Sequence, residues 1–146
     1  MNKRFKSKKD KLFYIITISV NLFLLLVFGI ILGLTRKLSS FVILIFVFIF
    51  VNYILLSSLF GYVEIKKDTL FIKYGLILRK TIPLENIKKV ELKNKYYSDS
   101  SLSLKNSIEH IDITYNTYDK TCVSVVQNSI LLEELNKIIL KNDNKK

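Results

Sequence analysis

Two stretches without a single charge constrain this chain more than any other feature. Leu12 to Leu34 is 23 residues long and Phe41 to Phe60 is 20. Roughly 20 apolar residues are needed to cross the hydrocarbon core of a bilayer as a helix, and each stretch meets that requirement. The polar stretch between them, Thr35 to Ser40, is short enough to be a turn. The pattern predicts a two-helix transmembrane hairpin over residues 12–60, with spans at 12–34 and 41–60. A cleaved signal peptide fits less well, because the first stretch is too long and no small-x-small cleavage site follows it.

Charge gives the hairpin a direction. The chain carries 23 Lys/Arg against 12 Asp/Glu, a net charge of +11, although half of its residues are hydrophobic. Six of the cations and only one acid fall in residues 1–11, and Lys66, Lys67 and Lys73 follow the second span. The hairpin turn has Arg36 and Lys37, which weaken the asymmetry without reversing it. Positively charged flanks stay on the cytoplasmic side. The expected protein is therefore a two-span protein of the cell membrane, with a basic cytoplasmic tail (1–11) and both termini inside.

The spans contain a few polar residues. Asn21 and Asn52 each lie about 12–14 Å from the cytoplasmic end at the rise of an α-helix. Antiparallel helices bring them nearly level, so the expected role is an interhelical hydrogen bond. A polar substrate site at that depth is the other reading, and no intramembrane charge accompanies it. Gly29 and Gly33 form a GxxxG helix-packing motif. It serves either a homodimer through the first span or packing of Ile45 or Phe46 from the second.

After Gly61 the period of the pattern changes to two, the signature of strands. "YVEIKK", "TLFIKYG", "LILRKTI", "IKKVELK", "HIDITY" and "TCVSVV" each read as a strand. The single proline, Pro83, ends the third, because proline cannot donate to a sheet ladder. Residues 94–107 read as a long polar loop, with a short strand near Leu102 to Leu104. Leu131, Leu132, Leu135, Ile138 and Ile139 mark one face of a terminal helix, which Asn128 or Ser129 caps. The expected core is Val63, Ile65, Leu70, Ile72, Leu78, Ile82, Val90, Leu92, Ile111, Ile113, Leu132, Leu135 and Ile139. The fold class is thus a membrane α-helical hairpin followed by an α+β domain over residues 62–140, with a charged tail at 141–146.

Residues 62–140 resemble the YyaB-like group of bacterial pleckstrin-homology (PH) domains. The resemblance rests on "LFIKYG", "IPLENIKKVE", "SLSL", "IDITY" and the helix "LLEELNKII". It implies a PH-like antiparallel β-barrel capped by a C-terminal helix, in a membrane-anchored member of the family. It implies no catalytic activity.

The residues themselves offer little to an enzyme. One histidine, His110, and one cysteine, Cys122, fall short of the three or four ligands a metal site needs. His110 is expected on the surface, and Cys122 as a small strand residue. Glu109 and Asp112 have an odd spacing, which puts them on opposite faces of a strand. No catalytic residue, metal or cofactor is expected.

A binding or scaffold module at the cytoplasmic membrane face is the better class. Lys66, Lys67, Lys73, Arg79 and Lys80 are the candidate contacts to anionic lipid headgroups. An unidentified protein partner would meet a sheet edge or the 94–107 loop, through Tyr96 and Tyr97. Nucleic acid is not expected as a partner, because the region after Gly61 has fifteen Lys/Arg against eleven Asp/Glu. The alternative is a bacteriocin self-immunity protein acting in or at the membrane.

Reporter fusions check the topology. A reporter fused after Lys146 should be active in the cytoplasm and one fused after Lys37 outside. A C-terminal reporter active only outside the cell would overturn the assignment.

Overall fold

The apolar stretches form the helices that their length demands. In the computed structural model, which describes residues 3–97, 100 and 103–143, α1 spans Lys11–Thr35 and α2 spans Leu38–Ser57. Both are long and apolar enough to cross a membrane. At 1.5 Å per residue they reach about 37 and 30 Å. Only Arg36 and Lys37 separate them, a tighter turn than the sequence suggests. Arg36 adopts the left-handed conformation (φ 49°), and its N–H closes α1 on the Leu32 carbonyl at 3.0 Å. Between the helices Asn52 Nδ2 donates to Asn21 Oδ1 at 2.9 Å, and Phe28 meets Phe48 edge to face.

Outside the two helices, the described residues form eight short strands. These are β1 (Lys3–Lys6), β2 (Tyr62–Ile65), β3 (Thr69–Lys73), β4 (Arg79–Pro83), β5 (Ile87–Asn94), β6 (Ser103–Leu104), β7 (Glu109–Tyr115) and β8 (Asp119–Val123). A terminal helix, α3, covers Asn128–Asp143. One sheet has the order β1-β2-β3-β4 and the other β5-β7-β8-β6. The two sheets do not close into the expected barrel. A single 3-10 turn after Pro83, Leu84–Asn86, carries the chain from one to the other. The β6–β8 pair is parallel, so the domain is not wholly antiparallel. Leu102 and residues 144–146 lie outside the described residues. Residues 141–143, expected in the charged tail, continue α3.

The inner faces of both sheets share one core with α3. Val63, Leu70, Ile72, Ile82, Ile111, Ile113 and Leu135 are all fully buried in it, and Leu132, Ile138 and Ile139 pack against it. Leu131, left out of the expected core, is buried beside Leu135 at helical spacing. Ile87 and Val90 are both buried although three residues apart. A bulge between Ile87 and Lys89 absorbs the extra residue.

Two expected core residues are exposed instead. Leu78 lies in the β3–β4 loop, because β4 begins only at Arg79. Leu92 lies on β5, an edge strand of its sheet, and is 44% exposed. Asn128 does not cap its own helix. Its Oδ1 accepts from the Val125 N–H at 2.9 Å, and its amide donates to Glu109.

The largest departure concerns the basic tail. Lys3–Lys6 is not a free segment but the first strand, paired antiparallel with β2. Phe5 enters the core. Beyond the strand, Lys8 N–H donates to the Ser124 carbonyl at 2.9 Å, and Val126 N–H to the Lys6 carbonyl at 3.0 Å. Asn106 is buried where these segments meet and donates to Ser7 Oγ at 3.0 Å and to the Ser58 carbonyl at 3.2 Å. Residues 3–10 therefore tie the first sheet, the end of β8 and both ends of the hairpin together.

Residues 62–146 alone would lack Phe5 and would expose the β2 edge. That fragment should unfold at lower denaturant than one with residues 1–10 joined to it by a flexible linker; equal midpoints would show that β1 contributes nothing. In the full chain in detergent, Phe5→Ala should cost about 3–5 kcal/mol and Leu135→Ala about 2–5 kcal/mol. Lys67→Ala should be close to neutral in the same pulse-proteolysis measurement.

Candidate functional site

Strand direction decides which cations lie beside the hairpin. β1 runs into α1, and β2 leaves α2, each across four residues. The Lys6–Tyr62 end of the sheet is therefore next to the hairpin, and the β2–β3 turn is at the opposite end. β3 returns to the hairpin at Lys73 and β4 departs from it at Arg79. The registers Lys6↔Tyr62, Tyr62↔Lys73 and Lys73↔Arg79 place these four residues in one row across the sheet. Directly paired residues point to the same face. Because the row behind them (Phe5, Val63, Ile72) is buried, Lys6, Lys73 and Arg79 point outward.

This end also holds a groove of about 560 Å³. Arg4, Lys6 and Lys9 line it, together with Tyr14, Phe60 and Tyr62, and no acidic side chain is among its lining residues. The Arg4 guanidinium stacks 3.6 Å over the Tyr62 ring, an arrangement that fixes an otherwise flexible cation. Lys73 Nζ approaches the same ring from 5.9 Å. Three cations and three aromatic rings thus meet at the base of the two apolar helices.

The five cations singled out by the sequence divide between the two ends. Lys73 and Arg79 are in the row beside the hairpin. Lys66 and Lys67 are in the distal turn, where Asp68 and Glu85 line the same cleft. Lys66 Nζ rests 4.7 Å over Phe71. Lys80 pairs with Ile72 on the inner side, and its ammonium sits 4.8 Å over the Tyr115 ring. Hydrogen bonding to Tyr115 pushes the Lys80 pKa up. Arg4, Lys6 and Lys9 were legible only as a basic tail, because nothing local shows that the tail pairs with β2. Tyr96 is 76% exposed and lines a cleft with Leu12, Phe13 and Ile16 of α1.

The span residues are placed as follows. Asn52 Nδ2 donates to Asn21 Oδ1 and to the Phe48 carbonyl one turn back, while Asn21 Nδ2 donates to the Thr17 carbonyl. Gly29 and Gly33 face open space, with nothing within 4 Å of a Cβ added at either. In this structure the motif does not receive Ile45 or Phe46.

His110 is not a surface residue. It is 1% exposed, and its Nδ1 donates to the Ile108 carbonyl at 2.8 Å. His110, Asp112 and Cys122 bring their ligand atoms within 4.8 Å of one another. Alternation on β7 puts His110 and Asp112 on one face, and the register sets Cys122 opposite Asp112. These side chains have the chemistry of a metal site. Asp112 is already engaged, however, with Lys93 Nζ 2.7 Å from its Oδ2. The cluster is best described as a buried polar layer balanced by that ion pair.

Lys3 and Lys8 of the tail make ion pairs with the rest of the domain. Lys8 Nζ lies 2.8 Å from Glu109 Oε2, and Lys3 Nζ 2.8 Å from Glu134 Oε1. Hydrogen bonds from Lys8, and then from Asn128, hold the Glu109 carboxyl below its usual range. The hydrogen bond from Lys3 does the same for Glu134.

Comparison with family models matches residues 61–139, more than half of the chain, to the bacterial PH domain family. The chain belongs to that family, whose domains are typically non-catalytic binding modules. The match begins after the hairpin, so β1 is a strand supplied from outside the matched segment. No curated protein and no solved structure matches the chain.

The lowered carboxyl pKa values set a pH dependence. A depressed folded-state pKa contributes stability above the unfolded value, and that stability is lost as pH falls through the folded value. The unfolding midpoint should therefore drop as pH is lowered from about 6 past the ordinary Glu pKa of about 4.3. The double variant Glu109→Gln/Glu134→Gln should show a smaller drop, starting from a lower midpoint at neutral pH. Parallel profiles for the two proteins would show that the ion pairs to Lys3 and Lys8 do not contribute.

Proposed function

We propose that this protein is a non-enzymatic binding module held at the cytoplasmic face of the cell membrane, where its PH domain engages anionic lipid. The observation that carries this reading is the groove at the base of the hairpin, lined by Arg4, Lys6 and Lys9 and, among the described residues, by no acidic side chain. The pairing of β1 with β2 supports it, since both flanks of the hairpin must then lie on one side of the membrane. The positive-inside rule makes that side the cytoplasm. The distal end, with its Lys66-Lys67-Asp68 turn and a mixed-charge cleft of about 640 Å³, faces away from the bilayer. We assign that end to a protein partner.

The lipid reading is tested on the full chain in detergent, titrated with short-chain phosphatidylglycerol or phosphatidylcholine while thermal stability is followed. Phosphatidylglycerol should stabilise the protein and phosphatidylcholine should not. Each cation near an anionic headgroup contributes about 1 kcal/mol, so Lys6→Ala/Lys9→Ala should weaken the effect roughly tenfold or more. Equal stabilisation by the two lipids would defeat the proposal.

A further inference from the structure

Loops that face water are built from polar residues and turn formers. The β3–β4 loop reads Leu76-Ile77-Leu78, and these side chains are 44%, 73% and 57% exposed. The loop is not loosely placed. Tyr74 N–H donates to the Leu78 carbonyl at 2.9 Å and closes its neck. At Gly75 an added Cβ would lie 2.9 Å from Ser57 Oγ and 3.2 Å from the Ser57 carbonyl oxygen. The base of the loop therefore abuts Ser57, the last residue of α2. A cleft of about 260 Å³ runs between the loop and Tyr53, Ile54 and Ser57 of α2.

We propose that Leu76, Ile77 and Leu78 insert into the same bilayer leaflet that α2 leaves, as a third membrane contact. This rests on the reading of α1 and α2 as membrane spans. Lipid is favoured as the occupant because the loop is continuous with the apolar surface of α2, where Tyr53 and Ile54 are also exposed. The cations agree with it. Lys73 and Arg79 form the last strand pair before the loop, so an apolar tip is followed by a basic neck at headgroup level. Two helices and a loop give three points of attachment. They fix the tilt of the domain and hold the basic groove against the membrane surface.

The test uses the full chain in lipid vesicles, with an environment-sensitive fluorophore on one introduced cysteine. The native Cys122 is buried and does not compete for label. Probes at Ile77→Cys, Lys67→Cys and Phe50→Cys report the loop, the distal turn and the span. At Ile77 the probe should be quenched by lipids spin-labelled near the headgroup and protected from aqueous iodide. At Lys67 the pattern should be reversed. Iodide quenching at Ile77 equal to that at Lys67 would overturn the proposal. So would protection at Ile77 from both quenchers, which would place a protein surface over the loop. Iodide quenching at Phe50 would instead show that α2 does not span the bilayer, so that the premise and not the loop has failed.

Discussion

The backbone pairing of β1 with β2 is the interaction on which the rest of the structure depends. Lys6 and Tyr62 lie on opposite sides of the entire hairpin in sequence and face each other in one antiparallel ladder. With four residues between each strand and its helix, neither end of the hairpin can wander. The domain must sit directly at the hairpin's base, with one fixed end of its first sheet toward the helices. Asn106 reinforces this by bonding to Ser7 on the incoming side and Ser58 on the outgoing side.

From that constraint the electrostatic layout follows. Cations with similar sequence surroundings acquire different roles because they fall at different ends or faces of the sheet. Lys6, Lys73 and Arg79 share one outward row next to the hairpin, Lys66 and Lys67 turn at the far end, and Lys80 points inward to Tyr115. Lys3 and Lys8 are drawn into ion pairs with Glu134 and Glu109. A tail that looks like a uniform basic flank is thus divided between cations that hold the domain together and cations that line the groove. The bacterial PH domain is completed by a strand from the other side of the two-helix hairpin.

Much of this was legible in local pattern. The hairpin, most of the strands after Gly61, the corner at Pro83 and the apolar face of α3 all follow from periodicity over a few residues. The failures have a common cause. Leu78 has the alternation of a strand, yet Tyr74 closes the loop on its carbonyl. His110 looks like a strand-start surface residue, yet the outer face of its sheet is covered. Residues 3–6 are too short and too charged to signal a strand, and only the free edge of β2 makes them one.

The sequence by itself determined the elements and their chemistry: two apolar helices, a run of short strands, one amphipathic helix and a basic flank. Each depends on hydrophobicity and spacing within one segment, which the chain carries locally. Only the tertiary structure decided which segments are neighbours. Two open sheets instead of a closed barrel, the recruitment of Phe5 to the core, the burial of His110 with Asp112 and Cys122, and the set of cations that lies beside the hairpin all depend on pairing between residues far apart in the chain. Strand register and direction carry that information, and a one-residue slip or a reversed strand would assign every one of those side chains differently.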